Sequence, residues 1–218
     1  MQSTDVLTDV EVRVLGSLIE KEMTTPDYYP LSLNALTNAC NQSSNRDPVV
    51  EYDENTVAGA IESLRRRSLV RAIQQSGSRV TKYRHLVNET LGLIARQTAV
   101  LGVLMLRGPQ TLAELRTRAT RLVSMESLED VETVLDQLTA RQPTPLVTQL
   151  SRRAGQKEAR YAQLLAGEVT VDDIEPAPPT RAEAGPDRIS VLEETVVELQ
   201  KEVADLRAQL EAFRKQFE

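Results

Sequence analysis

Apolar residues in the first 86 positions fall at helical spacing three times, then at strand spacing twice. Val12, Leu15, Leu18 and Ile19 form one stripe. It predicts a helix from about Thr8 to Glu22, with Thr8 as N-cap and Glu11 placed for a capping box. Thr24-Thr25-Pro26-Asp27-Tyr28-Tyr29-Pro30 breaks it. Ser32 caps a second helix that buries Leu33, Leu36 and Cys40. A polar loop, Asn41 to Pro48, follows. Asp53 caps a third helix running to about Arg67, with Val57, Ile61 and Leu64 inward. Strands are expected near Leu69–Gln74 and Arg79–Leu86, joined by the turn Gln75-Ser76-Gly77-Ser78.

The pattern then repeats. Val14-Leu15-Gly16-Ser17-Leu18-Ile19 matches Val100-Leu101-Gly102-Val103-Leu104-Met105, and Leu33-Asn34-Ala35-Leu36 matches Leu112-Ala113-Glu114-Leu115. Val57, Ile61 and Leu64 match Val131, Leu135 and Leu138, and Tyr83 matches Tyr161. The offset drifts, and the larger insertion lies between the second and third helices of the first copy. A period this long marks two duplicated domains rather than a solenoid. In the second copy Asn88 is expected to cap one long helix from Glu89 to about Arg107, stopped by Gly108-Pro109. Helices at Thr111–Thr120 and Ser127–Arg141 follow, then a hairpin over about Leu146–Leu165 with its tip at Arg152–Lys157. Three helices followed by a β-hairpin is the order of a winged helix. The fold class expected is therefore mainly α with small β-hairpins (α+β): tandem winged-helix domains at 1–88 and 89–165.

Residues 166–187 carry Pro176, Pro178, Pro179 and Pro186 and read as an extended, mobile linker. In 188–218 the period changes to heptads. Ile189, Val196, Val203, Leu210 and Phe217 fall at position a, and Leu192, Leu199, Leu206 and Phe213 at position d. β-branched residues at a with Leu at d favour a parallel two-stranded coiled coil, hence a homodimer. A single amphipathic helix docked on the body is the alternative.

Charge alters the picture in parts rather than as a whole. The net charge is −6, but residues 1–89 carry 10 basic and 12 acidic groups, 90–165 carry 10 and 7, and 166–218 carry 6 and 13. The repeats are nearly neutral, so nucleic-acid binding would need a local basic patch. One exists. Between Ala60 and Leu86 seven basic residues (Arg65, Arg66, Arg67, Arg71, Arg79, Lys82, Arg84) stand against the single acid Glu62. They suit contacts to phosphates, or else they solvate a helix end and two strands. The outward face of the third helix carries Asn55, Thr56, Gly59, Glu62, Ser63 and Arg66. Asn55 and Arg66 are of the types that read adenine and guanine in the major groove. The second copy differs: Glu126, Glu129, Asp130, Glu132 and Asp136 crowd its third helix, a surface that repels phosphate and suits a protein partner. Helix N-terminal electrostatics account for the same acids.

Little supports catalysis. His85 is the only histidine and Cys40 the only cysteine, so no zinc cluster and no internal disulfide can form. No phosphate loop or dinucleotide fingerprint occurs, and no cofactor is expected. The start lacks a signal-peptide pattern and no apolar run approaches a membrane span, so a cytoplasmic, non-enzymatic protein is expected.

One segment has a specific likeness. Arg13 to Pro48, RVLGSLIEKEMTTPDYYPLSLNALTNACNQSSNRDP, resembles the hallmark of the YceH family of bacterial proteins, and the resemblance extends over about residues 8–165. It implies a tandem winged-helix protein and no particular activity. Within the segment Asn38, Asn41, Asn45, Arg46 and Asp47 are more polar than a short turn requires. Asn41, Asn45, Arg46 and Asp47 could form a partner-binding loop. Alternatively their side chains bond the loop's own backbone and hold it to the first helix, at Glu20 or Lys21. The expectation is a dimeric, DNA-associated regulator gripping double-stranded DNA through the first copy. The alternative is an assembly module whose acidic helix and polar loop bind proteins.

Overall fold

Each run of elements in the chain is written twice in space as well as in sequence. The computed structural model describes residues 6–74, 80–151 and 158–168. The first run is α1 (Asp9–Thr24), β1 (Leu31–Ser32), α2 (Leu33–Cys40), α3 (Glu54–Arg66), β2 (Val70–Ile73) and β3 (Lys82–His85). A short helix, α4 (Val87–Leu91), connects to the second. That run is α5 (Ala95–Arg107), β4 (Gln110–Thr111), α6 (Leu112–Ala119), α7 (Leu128–Thr139), β5 (Val147–Leu150) and β6 (Arg160–Gln163). Among the described residues the fold is thus α+β, seven α-helices with two small antiparallel sheets. Both hairpin tips (75–79, with Arg79, and 152–157, with Arg152, Arg153 and Lys157), the proline-rich 169–187 and every heptad position lie outside the described residues.

The sheets have orders β1-β3-β2 and β4-β6-β5. In the first, Leu31 faces Tyr83 and Val70 faces His85. In the second, Gln110 faces Tyr161 and Val147 faces Gln163. The two-residue strands β1 and β4 were not expected, because two residues show no alternation. Each ends on the cap of the next helix. Ser32 accepts a hydrogen bond from the Ala35 N–H at 3.3 Å, and Thr111 accepts one from the Glu114 N–H at 3.2 Å.

The helix expected from Glu89 to Arg107 is two helices. Gly92 takes the left-handed conformation (φ 62°), open to glycine at little cost, and ends α4. The turn buries Leu93 and leaves Ile94 as the N-cap of α5. Asn88, expected as the cap, instead accepts a hydrogen bond from the Thr98 hydroxyl at 2.6 Å.

α1 and α5 lie against each other at the centre. Every residue from Glu11 to Ile19 and from Thr98 to Leu106 is buried. Val12, Leu15, Leu18 and Ile19 are therefore only part of what α1 buries. The other side meets α5, so the two repeats share one core. The described residues up to 168 belong to one compact unit. A hydrogen bond from the Leu7 N–H to the Leu165 carbonyl, 2.7 Å, ties its first described residues to its last.

Candidate nucleic-acid interface and the adjoining loop

α3 begins where Asp53 accepts a hydrogen bond from the Thr56 N–H at 2.6 Å. It buries Val57, Ala60, Ile61 and Leu64. Asn55, Thr56, Gly59, Glu62 and Arg66 consequently face solvent, the face expected from its periodicity. A Cβ at Gly59 would meet nothing within 4 Å, so no internal contact requires glycine there.

The arginines beside this face divide into two groups. Arg66 and Arg71 are exposed and make no ion pair among the described residues. With Glu62, Arg65, Ser68, Val70, Ala72 and Leu86 they line a shallow groove between the end of α3 and β2. Lys82, half-buried on β3, also has no carboxylate partner among the described residues. The others are engaged. Arg65 pairs with Glu62 at 2.7 Å, one turn back on its own helix. Arg84 pairs with Glu89. Arg67 turns toward the buried Glu11, with Nε 3.9 Å from its carboxylate. Burial pushes the Glu11 carboxyl up, but hydrogen bonds from Ser63 and Thr8, with Arg67 nearby, hold it below its ordinary value. The free basic surface is narrower than seven residues imply.

The long loop between α2 and α3 is built from its own polar side chains. Asn41 accepts from the Tyr52 N–H at 2.8 Å and donates to the Tyr52 carbonyl at 2.7 Å, closing the loop as a backbone pair would. Arg46, read either as part of a partner-binding loop or as part of a loop held to the first helix, has a side chain 0% exposed. Its Nε–H and Nη2–H donate to the Ala39 carbonyl at 3.1 and 2.7 Å, and Nη2 meets Glu20 at 2.7 Å. It thereby satisfies the C-terminal end of α2 and fastens the loop to α1. The Asp47 N–H donates to the Leu106 carbonyl at 2.9 Å. Asn45, in the left-handed region at φ 60°, directs its Oδ1 to Arg107 at 2.6 Å and Arg121 at 2.7 Å.

Arg13 is a further structural residue that helical periodicity does not single out. It is buried on α1 and donates to the carbonyls of Cys40 at 3.1 Å and Pro48 at 2.5 Å. The signal available was a charged residue between Val12 and Val14 on a helix whose neighbours are apolar. His85 is also structural. The Val87 N–H donates to its Nδ1 at 3.3 Å, which leaves Nε2 to carry the proton, 2.7 Å from Glu22. Its backbone N–H donates to the Tyr29 hydroxyl at 2.7 Å. Cys40 is fully buried, and burial pushes its thiol up. Among the described residues no three His, Cys, Asp or Glu side chains come together to hold a metal ion, and no helix is long and apolar enough to cross a membrane.

α7 of the second repeat presents Glu129, Glu132 and Asp136 to solvent. Ser127 and Asp130 close a capping box, and Asp130 also pairs with Arg96 at 3.1 Å. Backbone N–H groups at this helix start hold the Glu129 and Asp130 carboxyls below their ordinary values. Two of the five acids thus serve the helix terminus.

Comparison with known proteins extends over almost the whole chain. The family described as a protein of unknown function, DUF480, matches residues 7–156. A UPF0502 protein of Pelobacter propionicus is 54% identical over 218 residues, covering 98% of this chain and 99% of its own. One of Geotalea uraniireducens is 51% identical, covering 97% and 98%. One of Vibrio parahaemolyticus is 45% identical, covering 94% and 97%. With a bacterial family implied by Arg13–Pro48 and matches of this length and identity, the chain belongs to the UPF0502 (DUF480) family.

Proposed function

We propose that the two repeats are tandem winged helices and that the protein is a non-enzymatic, DNA-associated regulator working through the first repeat. The observation that carries this reading is the side of α3 facing solvent. Asn55, Thr56 and Arg66 are exposed around a glycine with open space above it, beside a groove holding Arg66 and Arg71 without carboxylate partners among the described residues. A helix without bulk at its centre lies close to a groove floor, and an unpaired arginine beside its end, Arg71, meets phosphate. In this reading Asn55 and Arg66 touch bases, while Arg65, Arg71 and Lys82 touch the backbone. The heptads between Ile189 and Phe217 pair two chains, and the linker at 166–187 permits variable spacing of half-sites.

The test is binding of the full chain to random duplex DNA at several salt concentrations. Affinity falling steeply with salt supports the reading. No binding at low salt refutes it.

A second reading rests on the exposed Glu129, Glu132 and Asp136 of α7. That face repels a phosphate backbone and suits a basic protein surface, so the second repeat would serve assembly even if the first binds DNA.

A further inference from the structure

Where the two repeats meet, beyond the C-terminal end of α1, several arginines converge. A small open pocket is lined by Glu20, Thr24, Asn45, Val103, Leu106, Arg107, Arg118, Arg121 and Leu122. Arg107 and Arg121 approach a single neutral atom, Asn45 Oδ1, at 2.6 and 2.7 Å. Neither has a carboxylate within ion-pair distance among the described residues. Arg118 has only a long contact to Glu114, 3.8 Å. Glu20, the one acid in the lining, is taken up by the buried Arg46 at 2.7 Å.

Holding two guanidinium groups on one amide oxygen costs Coulomb energy, and Glu20, already paired with Arg46, does little to offset it. Burial lowers the proton affinity of Arg107, and Arg118 and Arg121 lower it further, with Asp47 offsetting part of this. Each guanidinium has five N–H donors and spends few of them here. Such forks match tetrahedral oxyanions.

We propose that this cavity binds the phosphate group of a small phosphorylated molecule, held by Arg107, Arg118 and Arg121 against Asn45. It is distinct from the α3 surface. Arg67 at the end of α3 meets Glu11 near the start of α1, whereas Glu20 lies nine residues on, roughly 14 Å along the helix. The ligand bridges the loop of the first repeat and two helices of the second, so its binding stiffens their junction.

The test titrates inorganic phosphate into the full chain by calorimetry, against sodium chloride at matched ionic strength, with melting followed in parallel. Saturable phosphate binding is expected, with a melting rise that chloride does not reproduce. Arg118→Gln with Arg121→Gln should weaken it at least tenfold while leaving duplex DNA affinity unchanged. Arg66→Ala with Arg71→Ala should do the reverse, which separates this site from the DNA surface and from polynucleotide phosphate as the ligand. Asn45→Asp supplies an internal anion in a conformation that Asp tolerates. It should raise the melting temperature and abolish phosphate binding without removing an arginine. Chloride-like behaviour of phosphate overturns the proposal, as does undiminished binding in Asn45→Asp or in a folded Arg118/Arg121 double variant.

Discussion

A Cβ atom added to Gly102 of α5 would lie 2.8 Å from Cγ2 of Ile19 on α1. The relation is reciprocal under the internal repeat, for a Cβ on Gly16 of α1 would lie 3.0 Å from Met105 and from Leu106 on α5. Gly16 matches Gly102 in the duplicated pattern, and Ile19 matches Met105. Each helix presents its glycine to the other's bulky side chain, as the two sides of an isologous interface do. Gly102→Ala should therefore destabilise the protein by about 1–3 kcal/mol through overpacking, despite alanine's better helix propensity. Gly59→Ala, on the open face of α3, should stabilise it by about 0.5–1 kcal/mol. Urea denaturation of both variants reads opposite signs for the same chemical change.

The basic surface predicts a division among arginines. Arg66→Ala with Arg71→Ala should weaken duplex DNA binding and reduce the slope of log affinity against log salt by about 1, for the phosphate contact of Arg71. Arg67→Ala should change that slope little and lower the melting temperature instead, because its guanidinium faces Glu11. Loss of salt dependence in the Arg67 variant alone would contradict this assignment.

Arg46→Ala should cost about 3 kcal/mol or more. It leaves the Ala39 carbonyl with only the long hydrogen bond from the Ser17 hydroxyl, 3.5 Å, and Glu20 without its charge partner. Arg46→Lys should recover little, since one ammonium cannot donate along the same forked geometry. Denaturant midpoints of the two variants measure this directly.

The Glu22 carboxyl is held below its ordinary value of 4.5, first by the hydrogen bond from His85 and then by charge, against the opposing effect of burial. A lowered carboxyl contributes stability that is fully present above the unfolded value and is lost as pH falls through the folded one. Stability of the parent should therefore decline more steeply below about pH 4.5 than that of Glu22→Gln. Thermal melts between pH 3 and 6 read the difference, and parallel curves would remove Glu22 from the account.

Dimer formation through the heptads predicts a single-site effect. Leu199→Lys puts a charge at a central d position and should convert a dimer at micromolar concentration into a monomer. A mass measured by light scattering decides it, and a monomeric parent chain would exclude the seam.

Local chemistry made much of this protein legible in its sequence. Thr8, Ser32, Asp53, Thr111 and Ser127 mark helix starts because a short side-chain oxygen beside free N–H groups acts within three residues. The stripe Val57, Ile61, Leu64 gave the outward face of α3, since helical period alone separates inside from outside. The duplication was legible for the same reason. What only tertiary structure decided depends on partners distant in the chain. α1 and α5 are buried all round because each repeat covers the other's helix, so a stripe read from one repeat gives half the answer. Gly92 breaks a helix that periodicity carries through, because Leu93 reaches the core only if the chain turns. Above all, the use of each arginine was undetermined. Arg46, Arg66, Arg67 and Arg107 are alike in sequence. One is buried against Ala39 and Glu20, one faces open solvent, one turns to Glu11 and one meets Asn45. A long charged side chain takes its role from whatever lies within its reach, and folding sets that.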